Sequence, residues 1–218
     1  VCSSDLVYNS QTNQVELQLE RVSARRDFPS LFGPGNVPGY LSEEDITGIA
    51  ELVSKLPENG MLVEVGTFLG KSAVEWAKNI QQQNKNYKII CVDSFNSPIE
   101  ILRELLEEEQ FTIPDANNQL TMFRHYTKEF ANVIALEAFF DKDFRFDQQV
   151  DLVFEDSDHS PGALNYALPF WWKRIRLGGI LSGHDYGGRE VKTAVDTFAA
   201  INGLTVKTVS DNIWYIEK

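Results

Sequence analysis

The chain has 218 residues, 43% hydrophobic and 24% charged. That is ordinary for a soluble globular protein, long enough for one large α/β domain with a full core and short for two. A formal net charge of -12 with no basic block argues against a nucleic-acid phosphate backbone as partner, two cysteines are too few for a disulfide framework, and no apolar run approaches the roughly 20 residues of a membrane span.

Residues 1 to about 40 read as an irregular or partly helical lead-in or cap, broken by Phe28-Pro29 and Gly33-Pro34-Gly35. The first residues carry no basic-then-apolar signal pattern, so a reducing, cytoplasmic location is expected. Residues 41–218 read as the main domain. Ser42-Glu43-Glu44-Asp45 predicts a helix start, with a capping serine and acids in the first turn, and the helix runs to about Leu56. After Pro57-Glu58-Asn59-Gly60 comes a strand over 61–65, and then a helix after Gly70 with Ala73, Val74, Trp76, Ala77 and Ile80 on one face. A second strand covers 87–92 and ends at Asp93, with Cys91 as a buried free thiol inside it.

From Pro98 to about Phe130 the pattern is helical and charged, interrupted near Pro114, and Glu107-Glu108-Glu109 reads as a solvated helix face. Strands follow at Val133–Glu137 and Val150–Glu155. Ser160-Pro161 opens a helix with a cap and a first-turn proline; Pro169 predicts a kink and Gly178-Gly179 the helix end. A fifth strand over 180–183 closes at His184-Asp185, a helix covers 190–201, and two strands over 204–209 and 213–217 flank the tight turn Ser210-Asp211-Asn212. Alternating strands and helices ending in a hairpin predict a mostly parallel sheet with one reversed strand.

Four strand ends coincide with polar residues: Glu64, Asp93, Asp156 and His184-Asp185. In a parallel sheet these ends share one edge, so the acids are expected to converge on one crevice. The run Leu62-Val63-Glu64-Val65-Gly66-Thr67-Phe68-Leu69-Gly70-Lys71-Ser72 is a buried strand opening through two glycines into a helix, as a nucleoside-binding turn does. Asp93 stands 23 residues beyond Gly70, near the spacing at which a carboxylate meets a ribose diol. Gly70-Lys71-Ser72 imitates the end of a phosphate loop, but the four-residue spacer from an earlier glycine is absent.

In Glu155-Asp156-Ser157-Asp158-His159-Ser160, carboxylates and an imidazole follow a buried strand directly. Oxygen ligands with one nitrogen suit a hard divalent ion such as magnesium, calcium or manganese, and a histidine there can act as general base. The plainer alternative is that His159 and His184 only tie loops together by hydrogen bonds. His125, on a charged helix, reads as a surface residue.

With these motifs assembled, the chain resembles the class I S-adenosylmethionine-dependent methyltransferases, and within them the class-24 methyltransferase domain family. The matching pieces, over about residues 38–217, are Pro38-Gly39-Tyr40-Leu41, Val63 to Ser72, Val92-Asp93-Ser94, Val150 to Ser160, and Leu177-Gly178-Gly179-Ile180-Leu181-Ser182-Gly183-His184-Asp185-Tyr186. The resemblance implies a Rossmann-like, seven-stranded, mostly parallel sheet with an antiparallel last strand and helices on both faces. It implies that Glu64, Gly66, Thr67 and Ser72 surround the methionine part of S-adenosylmethionine, that Asp93 holds the ribose hydroxyls, and that Phe68 and Ser94 also line the cofactor site. Ala138 and Phe139 would flank the adenine, with Asp156 also at the cofactor. Related oxygen-directed enzymes bind magnesium at the matching strand ends, which points to Asp156, Asp185 and His184 as ligands. His159 would then take a proton from a hydroxyl acceptor, with His184 the other catalytic candidate.

Three positions depart from the family pattern: Glu137-Ala138-Phe139 replaces the usual small or acidic polar pair, Ser157 replaces a glycine, and no lysine stands beside Asp156. The expected activity is O-methylation of a small hydroxylated metabolite, a sugar or a phenol. Two other classes compete with it, a nicotinamide-dependent oxidoreductase and a nucleoside-binding module without catalysis. Phe28, Phe32 and Tyr40 are candidates for an acceptor pocket. The oligomeric state is not legible.

Overall fold

The computed structural model describes residues 5–9, 14–18, 32, 33 and 35–218. The chain divides into two units, residues 1–30 and 31–218. In the first, β1 (Asp5–Asn9) and β2 (Gln14–Gln18) pair antiparallel, with Asp5 opposite Gln18 and Asn9 opposite Gln14. The lead-in thus contains extended structure where an irregular or partly helical segment was expected. Cys2 and Phe28-Pro29 lie outside the described residues.

The second unit carries α1 (Glu43–Lys55), β3 (Asn59–Val65), α2 (Lys71–Gln82), β4 (Asn86–Asp93), α3 (Ile99–Glu108), α4 (Gln119–Thr127) and β5 (Val133–Glu137). It continues with β6 (Val150–Glu155), α5 (Pro161–Trp172), β7 (Ile175–Gly183), α6 (Arg189–Asn202), β8 (Lys207–Thr208) and β9 (Trp214–Glu217). Seven strands form one sheet in the order β5-β4-β3-β6-β7-β9-β8. All neighbours pair parallel except β9, the last strand in the chain, which runs antiparallel to both β7 and β8. This is the architecture expected from the sequence. The connections wind one way through β3, β4 and β5 and the other way from β6, so the strand order reverses between β3 and β6, where open α/β sheets bind ligands.

Alternation along the strands builds two apolar layers. Leu62 and Ile89 face α1 and α2, where Trp76, Ile49 and Leu52 are buried. Val63, Val92 and Val153 face α5 and α6 around Trp171 and Val195. Each such aliphatic side chain contributes roughly 1.5–3 kcal/mol on full burial. A third cluster, Phe32, Leu69, Leu102, Leu106 and Met122, seats α3 and α4 beside the start of α2. Among the described residues no helix is long and apolar enough to cross a membrane.

Local signals account for several helix ends. Ser42 accepts from the Asp45 amide, and Asp45 accepts in return from the Ser42 amide. Ser160 caps α5, with Pro161 in the first turn, and Gly203 ends α6 in the left-handed conformation at φ 65°. One expectation fails. Gly178-Gly179 does not end a helix, because α5 stops at Trp172 and β7 already starts at Ile175, so the glycines lie within the strand. Gly179 accommodates a close approach there, since a Cβ on it would meet the Asp151 carbonyl oxygen at 2.7 Å.

Candidate active site

Ladder register brings the polar strand ends side by side. Val65 lies opposite both Val92 and Glu155, Asp93 opposite Glu137, and Glu155 opposite Gly183. Backbone bonds extend this beyond the strands: Gly66 N donates to Val92 O, Asp156 N to Val65 O, Ala138 N to Asp93 O, and His184 N to Glu155 O. Every sequence-predicted strand-end residue therefore sits on the carboxyl edge of one continuous five-strand stretch.

At the β3–β4 end the glycine turn is bent by Gly66 at φ 82° and Gly70 at φ 93°. No other residue fits at Gly66, where a Cβ would lie 2.2 Å from the Asp156 carbonyl oxygen. The Asp93 carboxylate grips the turn: Oδ2 accepts from the Thr67 and Phe68 amides, both at 3.0 Å, while Oδ1 accepts from Phe95 N at 2.8 Å. A carboxylate offers about four lone-pair directions, so one stays open to a further donor. Glu64 lies behind the turn, fully buried. It accepts from Thr67 Oγ1 at 2.8 Å and from the Ser72 hydroxyl, with the Cys91 thiol at 3.5 Å. Burial pushes its carboxyl up to about 7, against the lowering effect of Ser72 and Thr67. Glu64 and Ser72 thus brace the turn from within.

Lys71, from the phosphate-loop lookalike, folds away from the turn. Its ammonium donates to the carbonyls of Gly33 at 3.1 Å and Val37 at 3.4 Å. Phe68 joins Phe32 and Tyr40 in an aromatic group, with ring centroids 6.4 and 6.2 Å from its own. Of the proposed pocket aromatics, Phe32 is buried, because it packs under Leu69, Leu102 and Leu106, whereas Tyr40 is exposed. Ser94 donates to Asn96 Oδ1 at 2.7 Å. Ala138 is half-buried beside Asp93, and Phe139 stands exposed just after β5.

At the β6–β7 end the residues are held by charge. His159 lies between two carboxylates, Nε2 3.7 Å from Asp156 Oδ1 and Nδ1 3.5 Å from Asp185 Oδ2. The neighbouring Asp156 carboxylate raises its pKa above the usual histidine value, against partial burial. His184 is buried, with Nε2 3.2 Å from Asp45 Oδ2 and Nδ1 3.4 Å from Asp185 Oδ1. Burial alone would lower its pKa, but Asp185, Asp45 and Asp156 overcome that and push it up to about 10. Without a metal ion on Nδ1 it is therefore a cation at neutral pH that holds the carboxylates, and a metal ion binding there would displace the Nδ1 proton.

Asp45 is a functional residue that sequence reasoning missed. Besides His184 and Ser42, it accepts from Ser210 Oγ at 2.6 Å, and Ser210 in turn accepts from the amides of Asn212 and Ile213. Burial would raise the Asp45 pKa, yet bonds from His184, Ser210 and Ser42 hold its carboxyl well below the usual range. One side chain therefore joins the start of α1, the end of β7 and the β8–β9 turn. Its sequence signal was only that of a first-turn acid.

The ligand atoms of Asp156, His184 and Asp185 all lie within 4.8 Å of one another. With Asp45 on Nε2, His184 turns Nδ1 toward the two carboxylates, the arrangement in which a second carboxylate orients a metal-ligating histidine. This set of two oxygens and one nitrogen fits a hard divalent cation. Asp158, from the same motif, instead accepts from Ser160 N at 2.8 Å at the start of α5.

The family described as a methyltransferase domain matches residues 63–186, more than half of the chain. Among solved structures the chain is similar to the O-methyltransferase NovP, at 16% identity and a TM-score of 0.58, covering 83% of this chain and 81% of that one. It is similar to precorrin-6y C5,15-methyltransferase from Geobacter metallireducens, at 15% identity and a TM-score of 0.55, covering 80% and 87%. A Streptococcus mutans protein in complex with SAH aligns at 16% identity and a TM-score of 0.51, covering 82% and 99%. At such identities the likeness is one of fold. No curated protein matches the chain.

Proposed function

Given that this chain belongs to the methyltransferase domain family and is an S-adenosylmethionine-dependent methyltransferase, we propose that it methylates a hydroxyl oxygen of a small metabolite, a sugar or a phenol. Family membership sets aside the nicotinamide-dependent reading. The observation that carries the proposal is His159, half-exposed and set between Asp156 and Asp185 at the ends of β6 and β7. An imidazole so placed can accept the proton of a hydroxyl acceptor as it attacks, which a nitrogen or carbon acceptor need not require. The acidic chain, at -12, favours a small acceptor over a nucleic acid.

The chain's residues would divide the work. The Gly66–Gly70 turn would present its backbone where the methionine end passes, Asp93 would offer its open lone pair to a ribose hydroxyl, and Ala138 and Phe139 would lie where the adenine rests. When bound, S-adenosylmethionine supplies a methyl group on a positively charged sulfonium, so the protein's contribution is alignment and exclusion of water. Asp156, His184 and Asp185 would hold a divalent cation such as magnesium, which lowers the pKa of a hydroxyl bound beside it. His159 would take the proton of the acceptor hydroxyl, with Asp156 and Asp185 stabilising the imidazolium that forms.

The test is calorimetry with S-adenosylhomocysteine, followed by a mass-spectrometric screen for methylated products across hydroxylated metabolites, with and without a chelator. Binding is expected, as is strong weakening in Asp93→Ala. Unchanged affinity in that variant removes the ribose assignment, and methylated nitrogen or carbon products alone remove the oxygen assignment. Full turnover in excess chelator removes the cation.

A further inference from the structure

Gln119 opens α4 inside the charged insert, and its side chain is only 2% exposed. Both ends of its amide leave their own helix. Oε1 accepts from Ser97 N at 2.9 Å, and Nε2 donates to Phe68 O at 3.1 Å. Ser97 lies four residues beyond Asp93, on the loop into α3, and Phe68 lies in the glycine turn. One side chain therefore spans the two loops that meet at Asp93. It is not needed to start the helix, because Asn118 and Thr121 cap α4 reciprocally, with Asn118 Oδ1 accepting from Thr121 N at 2.8 Å and Thr121 Oγ1 from Asn118 N at 3.2 Å.

Phe68 has a left-handed backbone, φ 50°, which a non-glycine residue keeps only where its surroundings fix it. Asp93 holds the amide side of this residue and Gln119 its carbonyl side. If the carbonyl clasp is lost, the Phe68 backbone is free to relax toward ordinary angles. The Thr67 and Phe68 amides then turn away from Asp93, and the carboxylate loses the orientation that leaves its lone pair open.

We infer that Gln119 is a positioning residue for S-adenosylmethionine, fixing the spacing between the glycine turn and the loop after Asp93. This rests on the reading of that turn and Asp93 as the cofactor site. It also gives the charged segment over residues 98–130 a task at the cofactor turn, whose geometry it sets.

The experiment uses the full chain and S-adenosylhomocysteine in calorimetry, with Gln119→Met, Gln119→Glu and Thr121→Ala. Methionine keeps the shape and loses both bonds, whereas glutamate, assayed at a pH high enough to ionise a buried carboxyl, keeps an acceptor for Ser97 and loses the donor to Phe68. Both are expected to bind about tenfold more weakly, the scale of one buried hydrogen bond. Thr121→Ala weakens the helix cap and is expected to stay within about twofold of the parent affinity, since it leaves the clasp intact. With an acceptor in hand, both Gln119 variants should raise KM for S-adenosylmethionine and leave kcat nearly unchanged, a split that general destabilisation does not produce. Parent affinity in either folded Gln119 variant overturns the inference, as does an equal loss in Thr121→Ala. Failure of the parent chain to bind S-adenosylhomocysteine overturns the cofactor-site reading instead.

Discussion

At the ends of β3 and β4, neutral donors meet carboxylates at hydrogen-bonding distance: Asp93 receives three amides, and Glu64 two hydroxyls. At the ends of β6 and β7 the contacts are mostly longer, 3.2–4.0 Å, and join imidazoles to Asp45, Asp156 and Asp185. There Glu155 Oε2 and His159 Nε2 are buried atoms without a hydrogen-bond partner. The first half is a frame whose groups are largely satisfied by the protein itself. The second leaves bonding capacity for something else, which is what a catalytic site needs and a binding frame does not.

The largest effect expected from this contrast is on stability. Asp45→Ala leaves the buried His184 cation without its closest carboxylate and also removes the Asp45 half of the α1 capping box and the Ser210 bond. Breaking a buried pair from one side costs about 3–5 kcal/mol, which denaturant unfolding would read directly. A loss under about 1 kcal/mol, the scale of a single cap, would mean that this half is not held by charge.

A comparable effect, confined to turnover, belongs to His159. His159→Gln keeps a polar side chain of similar size and removes the base, so kcat should fall about 10²–10⁴-fold while S-adenosylhomocysteine affinity stays at the parent level. Loss of affinity alongside turnover would blur the division between the halves. Retained turnover would move the base elsewhere.

The two halves also differ in how legible they were. Val65-Gly66, Asp93 and Asp156 announce themselves because strand-end position is a local property, set by where an apolar run stops. The same holds for the Ser42 and Ser160 caps and the Ser210-Asp211-Asn212 turn. The links that fix geometry are long-range and leave no periodic trace. Asp45 reads as a helix-dipole acid, yet its decisive partner is 139 residues away, and Gln119 meets Phe68 across 51. Gly178-Gly179 looks like a helix stop because the pair satisfies the same rule that a close strand crossing does. Phe32 reads as a pocket aromatic until α3 and α4 are folded over it.

The smallest predicted effect separates two buried carboxyls, one in each half. Glu64 and Glu155 are both raised by burial to about 7, from ordinary values of 4.5. Between those two pH values the folded chain keeps protons that the unfolded chain has released, so these two groups make stability fall as pH rises from about 4.5 to about 7, and His184, raised to about 10, continues the fall above that range. Each group accounts for at most about 3 kcal/mol of that fall. Glu64→Gln removes one share, and its amide can be received, because the Thr67 and Ser72 hydroxyls can rotate to donate or accept. Glu155→Gln also removes one share, but it sets a new donor at the position of Oε2, which has no partner, and so should be less stable than Glu64→Gln at every pH. Urea unfolding at pH 5 and pH 8 measures both. If Glu64→Gln keeps the parent's full slope, the turn is braced by a carboxylate that is already ionised, and the first half is held by charge as much as the second.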